Sequence, residues 1–157
     1  VLVKSQSEEI RQFVRAMRPP EIDGAGLVPT VKKLVEAFEK DAGIAAVFVG
    51  SSTRVQTSTA KATEISLICR EALHNIQKHA QAKHVTVGVG RDGDVFELSV
   101  EDDGKGFPFS GAYALEELDL LRLGPASIRS RVRQLNGEMF LDSRAGSGST
   151  LKIRIPL

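Results

Sequence analysis

The sequence predicts an α/β fold: a two-layer sandwich in which helices cover one face of a mixed, mainly antiparallel sheet, preceded by a helical segment. Three observations carry this. In several stretches apolar residues recur at three- and four-residue steps, the spacing of amphipathic helices. In others they alternate with polar residues, the period of half-buried strands. Between two alternating runs stands Asp92-Gly93, the composition of a tight hairpin turn. The apolar face those strands share must then be covered by helices.

Taken in order, Ile10, Phe13, Val14 and Met17 mark one helical stripe over residues 4–17, which Pro19 and Pro20 end. Residues 18–26 read as a linker. A second helix follows through Leu27, Val31, Leu34, Val35 and Phe38, with Gly43 as its C-terminal cap. Residues 45–49 form a short strand, 50–59 a polar loop, and 61–80 a long helix. The hairpin strands are Val85, Val87 and Val89, then Phe96, Leu98 and Val100. Beyond a glycine-bearing segment at 102–107, a short helix is expected near 114–121 and a firmer one over 125–135, where Pro125 suits a first turn. A strand at 138–142, a turn with Gly146 and Gly148, and a strand alternating Leu151, Ile153, Ile155 and Leu157 close the chain.

With 157 residues and 41% hydrophobic content, one principal domain over 26–157 with a short appendage at 1–25 is expected. Lys and Arg number 21 against 20 Asp and Glu, which gives no general attraction to nucleic acid or to an acidic membrane surface. The single Cys69 has no internal disulfide partner and sits in an apolar helical pattern, as a small buried residue does in a reducing compartment. No apolar run approaches the roughly 20 residues needed to span a bilayer, and no signal-peptide pattern opens the chain. Because it starts at Val1 with a helical pattern under way by Lys4, a longer parent protein is expected.

The helix at 61–80 carries the most informative pattern. Ile65, Ile68, Cys69, Ala72 and Ile76 form its apolar stripe, and Glu71, Asn75, Lys78 and His79 line one edge of that face. A polar line at the margin of a core touches a ligand held between helix and domain, or only bonds to loops; the pattern alone leaves both open. Asn75 offers a neutral amide oxygen suited to magnesium, and Lys78 a point charge for phosphate. After a strand comes Asp102-Asp-Gly-Lys-Gly106, whose glycines let the backbone approach a ligand closely, although by itself it also reads as a tight turn. A carboxylate at the end of a buried strand can accept from an exocyclic amine, which adenine has and guanine lacks at that position, and Asp102 is the candidate for it. Gly124 precedes a helix whose N-terminus favours phosphate, and Gly146-Ser-Gly-Ser-Thr150 adds backbone and hydroxyl donors.

The order of these pieces is more specific than any one of them. Arg70-Glu-Ala-Leu-His-Asn-Ile-Gln-Lys-His-Ala80 resembles the N box of sensor histidine kinases, members of the GHKL ATPase superfamily that share the Bergerat fold. Val100-Glu-Asp-Asp-Gly-Lys-Gly-Phe107 resembles their first glycine box, and 124–131 and 146–150 the second box and the closing Gly-x-Gly-Thr element. The wording is most similar to the NarX, DesK and LiaS type.

The resemblance implies ATP and Mg2+ as ligands. Asn75 would hold magnesium, Glu71 would polarise the attacking group or a magnesium-bound water, and Lys78 and His79 would approach phosphate. Asp102 would bind the adenine amine, Gly104, Gly106, Gly124 and Gly148 would give the nucleotide room, and Ser149 and Thr150 would add donors. Residues 108–123 would form the lid over the nucleotide. Residues 1–25 would end the dimerisation and phosphoacceptor hairpin. The implied activity is transfer of the ATP γ-phosphoryl group to a histidine outside this chain, then to a response-regulator aspartate. Partners would be the protein's own phosphoacceptor domain, a second copy and the response regulator, with no direct nucleic acid. Such a domain is cytoplasmic, any membrane anchor lying in other regions. The acceptor stretch of the family, Arg-Glu-Leu-His-Asp-like, is absent, and His74, His79 and His84 stand in other contexts. Two departures stand out: Pro125, Ala126 and Ser127 occupy positions where Leu-x-Gly is common, and Ser149 one where Thr is usual. An ATP-sensing module without phosphotransfer, and a GHKL serine kinase of the anti-sigma type, are the other readings.

Overall fold

The computed structural model describes residues 26–157; the expected helix and linker at 1–25 lie outside the described residues. The elements are α1 (Leu27–Ala42), β1 (Ala45–Val49), α2 (Thr59–Asn75) running into a π-helical turn (Ile76–Ala80), β2 (His84–Asp92), β3 (Val95–Asp102), β4 (Gly111–Ala114), α3 (Leu115–Leu121), α4 (Ala126–Gln134), β5 (Glu138–Arg144) and β6 (Gly148–Pro156). Six strands form one sheet in the order β1-β2-β3-β6-β5-β4. Only β1 and β2 are parallel neighbours; the other pairs are antiparallel. The mixed, mainly antiparallel sheet read from the sequence is the one observed.

Alternation decides which face is covered. Val85, Val87 and Val89 of β2, Phe96, Leu98 and Val100 of β3, and Leu151, Ile153 and Ile155 of β6 are buried together with helix residues. Their neighbours make a polar outer face, where Glu97 stands opposite Arg154 and Ser99 opposite Lys152. Fully burying each large side chain of the inner face contributes about 1.5–3 kcal/mol. On the helical side, α1 buries Leu27, Val28, Val31, Val35 and Phe38. It ends where Gly43, at φ +68°, turns its N–H back to the Glu39 carbonyl at 3.1 Å. The Ser58 side chain caps α2 by accepting from the Lys61 N–H at 3.1 Å.

Three local features differ from the sequence reading. The long helix expected over 61–80 is α-helical only to Asn75, and Ile76–Ala80 widen into a π turn ended by Gln81 at φ 53°. The stretch 108–123, expected as a lid with one short helix, also contains β4, paired with β5 from Gly111↔Ser143 to Ala114↔Phe140. The strand expected at 138–142 continues to Arg144 because that pairing and the pairing with β6 extend it. Among the described residues, no helix is long and apolar enough to cross a membrane.

Candidate functional site

A cavity of about 820 Å³ lies between the end of α2, the adjoining ends of β3 and β6, and the connection from α3 to α4. That volume falls within the roughly 300–1,000 Å³ usual for small-molecule sites. Its apolar walls are Ala72, Ile76, Val100, Ile128, Leu141 and Leu151. Its polar groups come from separate elements: Asn75 from the end of α2, His79 from the π turn, Asp102 from β3, Ser149 from β6, Lys105 from the loop after β3, and Arg122 from the end of α3.

Asp102 is the buried carboxylate of the site, 5% exposed. Its Oδ1 accepts the Gly104 N–H at 2.8 Å and its Oδ2 the Ser149 hydroxyl at 2.7 Å. Both bonds fix the plane of the carboxylate while each oxygen keeps a further lone pair for a ligand donor. The next residue, Asp103, faces the other way and accepts from the Lys83 N–H at 2.8 Å, the His84 N–H at 2.9 Å and the His84 ring at 2.7 Å. The His84 backbone N–H first, then its ring and the Lys83 N–H, hold the Asp103 carboxyl down at about 2. Adjacent aspartates are thus divided, one toward the cavity and one clamping the loop to β2.

The π turn explains why two neighbouring candidates part company. Its i→i+5 bonding advances each residue by a smaller angle than an α turn. His79, four residues beyond Asn75, therefore stays on the cavity side, whereas Lys78 is turned to solvent and does not line the cavity. On β6, alternation places Ser149 inward beside Leu151 and sends Thr150 to the opposite face.

The glycines make room chiefly for the protein itself. A Cβ on Gly104 would stand 2.2 Å from the Ala80 carbonyl oxygen, and one on Gly148, at φ +97°, would stand 2.0 Å from that of Asp102. Gly106 and Gly124 both line the cavity, at φ +75° and +74°. The loop between them and β5 is tied down by Phe107 N–H to the buried Ser143 hydroxyl at 2.8 Å and Gly146 N–H to the Lys105 carbonyl at 2.8 Å.

Glu71, one turn before Asn75, is not among the residues lining the cavity. Its carboxylate accepts the Ser127 hydroxyl and lies 4.0 Å from Arg131 Nε, while Arg131 Nη1 reaches Glu64 at 2.6 Å. Partial burial raises the Glu71 pKa, with the charges of Arg131 and His74 opposing the shift. Cys69 is buried, its thiol pushed up to about 12 by desolvation, which leaves it inert.

Lys105, Arg122, Phe107 and Phe109 also line the cavity and were not singled out from the sequence. Lys105 carried a signal, since it stands inside the Asp-x-Gly-x-Gly loop. The rings of Phe107 and Phe109 stack at 5.4 Å, and Phe109 meets Tyr113 edge-on at 5.7 Å, a contact between the site and β4 that spacing alone does not reveal.

A cleft at the ends of antiparallel strands, apolar along its walls and with a fixed carboxylate at one place and cations at another, has the makeup of a small-molecule site. The chain belongs to the family of histidine kinase-, DNA gyrase B- and HSP90-like ATPases, whose model matches residues 60–157. It is 32% identical, over 99% of its length, to the signal transduction histidine-protein kinase/phosphatase DegS of Brevibacillus brevis. It is 26% identical, over 95% of its length, to the sensor histidine kinase LiaS of Bacillus subtilis. The chain covers 39% of each of these relatives. The fold is similar to that of the histidine kinase domain from the Erythrobacter litoralis EL346 blue-light activated histidine kinase, with a TM-score of 0.68 over 88% of this chain and 64% of that one, at 24% identity.

Proposed function

We propose that residues 26–157 bind ATP with Mg2+ and serve as the catalytic domain of a sensor histidine kinase, with residues 1–25 leading from the phosphoacceptor helices. The γ-phosphoryl group of ATP goes to a histidine outside this chain and from there to an aspartate of a response regulator. The observation that carries this is the convergence on one cavity of Asn75, Asp102, Ser149 and the Gly124–Pro125 turn, from four separate elements. The names of the DegS and LiaS relatives point to the same activity.

In this reading Asp102, held by Gly104 and Ser149, accepts from the adenine amine, and Val100, Ile76 and Leu151 pack against the ring. His79, Lys105 and Arg122 face the phosphates, and the first turn of α4 offers free N–H groups to them. Lys78 contributes only if closure over the nucleotide brings it round, while Thr150 stands on the opposite face of β6. The donor set fits magnesium held largely by its ligand. Asn75 is the amide on the cavity wall, and the described residues hold no cluster of three His, Cys, Asp or Glu that would make a protein-only site. When bound with ATP, the ion neutralises phosphate charge, while this chain positions the nucleotide and excludes water.

Calorimetric titration with a non-hydrolysable ATP analogue, with and without magnesium and against the GTP analogue, tests this. Magnesium-dependent binding that prefers adenine is expected. Absence of binding, or equal affinity for both bases, removes the reading. Asn75→Asp and Asp102→Asn are each expected to weaken binding with little change in thermal midpoint, because neither side chain belongs to the apolar stripe.

A further inference from the structure

We propose that Glu71, Ser127 and Arg131 form a clamp that positions the first turn of α4 at the phosphate end of the cavity, so that Glu71 acts on the nucleotide through α4. This rests on the reading that the cavity takes ATP. Glu71 and Asn75 share one edge of α2, yet Asn75 lines the cavity and Glu71 does not. The Glu71 carboxylate is directed at α4, where it accepts the Ser127 hydroxyl.

Residues 127 and 131 are four apart on α4, and residues 64 and 71 are seven apart on α2, so each pair shares one helix face. Arg131 spans the second pair, with Nη1 on Glu64 at 2.6 Å and Nε 4.0 Å from Glu71. That Nε is buried and makes no hydrogen bond, so a small approach of the two helices gives it Glu71 as acceptor. The clamped helix is the one whose start faces the ligand, since Gly124, Pro125 and Ile128 line the cavity.

Ser127 stands where the resemblance leads one to expect glycine, which has no hydroxyl to donate. The departure in the second glycine box therefore supplies a bond in place of the lost flexibility. A residue that polarised a reacting group would have to reach into the cavity. Glu71 is instead a positioning residue, held at the junction of two helices by one hydroxyl and one guanidinium.

The test is titration of the 157-residue chain and its variants with a non-hydrolysable ATP analogue and magnesium. Ser127→Ala and Glu71→Ala are each expected to weaken binding about tenfold, the factor carried by one hydrogen bond to a charged group. Because they remove the same bond, the double variant should be little weaker than either single one. Glu71→Gln should recover most of the loss, since its amide oxygen still accepts from Ser127. Ser127→Gly provides a second removal of the hydroxyl, at an exposed position in a first helical turn. Wild-type binding with unchanged affinity in Ser127→Ala and Glu71→Ala overturns the clamp and leaves the ATP reading intact. Glutamine as weak as alanine, or additive losses, likewise overturns it. Failure of the wild-type chain to bind removes the ATP reading and the clamp with it.

Discussion

The two sides of the cavity are built by different means. On the sheet side, Asp102, Gly104, Gly148 and Ser149 are locked by strand pairing, by two bonds to one carboxylate, and by glycines with no space for a Cβ. On the helical side, α3 is held to α4 by ion pairs: Asp119 meets Arg129 at 2.8 Å and Arg133 at 2.9 Å. Leu118 is the buried anchor of α3, while Leu120 and Leu121 are exposed. Backbone contact tolerates almost no displacement, whereas long side chains with charged tips can shift and re-form. One wall is therefore a fixed reference and the other is adjustable, a division suited to a ligand with a rigid base and a flexible phosphate tail.

The largest expected effect breaks the fixed wall. Gly148→Ala puts a methyl 2.0 Å from the Asp102 carbonyl oxygen at a positive φ, and Gly104→Ala one 2.2 Å from that of Ala80. Each should cost about 3 kcal/mol or more. Urea midpoints near that of the wild type would show that this wall yields after all. A smaller effect is expected from Asp119→Ala, which strips Arg129, 11% exposed, of its carboxylate and should cost about 2 kcal/mol. Hydrogen exchange should then speed up within residues 108–123 and hardly at all in β3 and β6; a uniform rise would erase the contrast.

Asp103→Asn should cost less than about 1 kcal/mol, because the aspartate is 46% exposed and its ion pair is screened. Since the folded carboxyl is depressed to about 2 from 3.8, its contribution is present above the unfolded value and fades as pH falls through the folded one. The stabilities of wild type and variant, measured against pH, should therefore be parallel above pH about 5 and converge towards pH 2. Convergence on the alkaline side instead would overturn this assignment. The smallest effect sharpens the adjustable wall: Leu120→Ser, at a side chain 82% exposed, should leave stability within about 0.5 kcal/mol. A larger loss in a thermal melt would mean that α3 rests on packing rather than on Asp119.

The fixed wall was also the more legible one in the sequence. Val85 to Val100 alternate around Asp92-Gly93, so the hairpin and its inward face follow from period and turn chemistry alone. Asp102 and the glycines beside it stand at the end of such a strand, where their order is itself a signal. β4 was missed because four residues beginning with Gly111 show no periodicity, and β5 supplies the partner that makes them a strand. The π turn is not legible because Ile76 and Ala80 fit an α stripe equally well, and an α stripe puts Lys78 and His79 along one edge. Arg122 adopts φ 54° at the end of α3, a conformation that no residue pattern announced. In the sequence Ser127 shows only as a departure from glycine, since a bond between α2 and α4 depends on how the two helices pack.

The sheet order has a consequence for how this domain is made. β6 lies between β3 and β5, yet it is the last of these strands to be synthesised. Until it emerges from the ribosome, β3 and β5 each expose an unpaired edge and the inner face lacks Leu151, Ile153 and Ile155. The nascent chain must wait with open edges, the situation in which strands of neighbouring chains pair wrongly. Folding of this region is accordingly late and long-range, and a chain stopped before Gly148 would keep β1-β2-β3 and β4-β5 as two separate pieces, with the strand that joins them and the Asp102–Ser149 contact both missing.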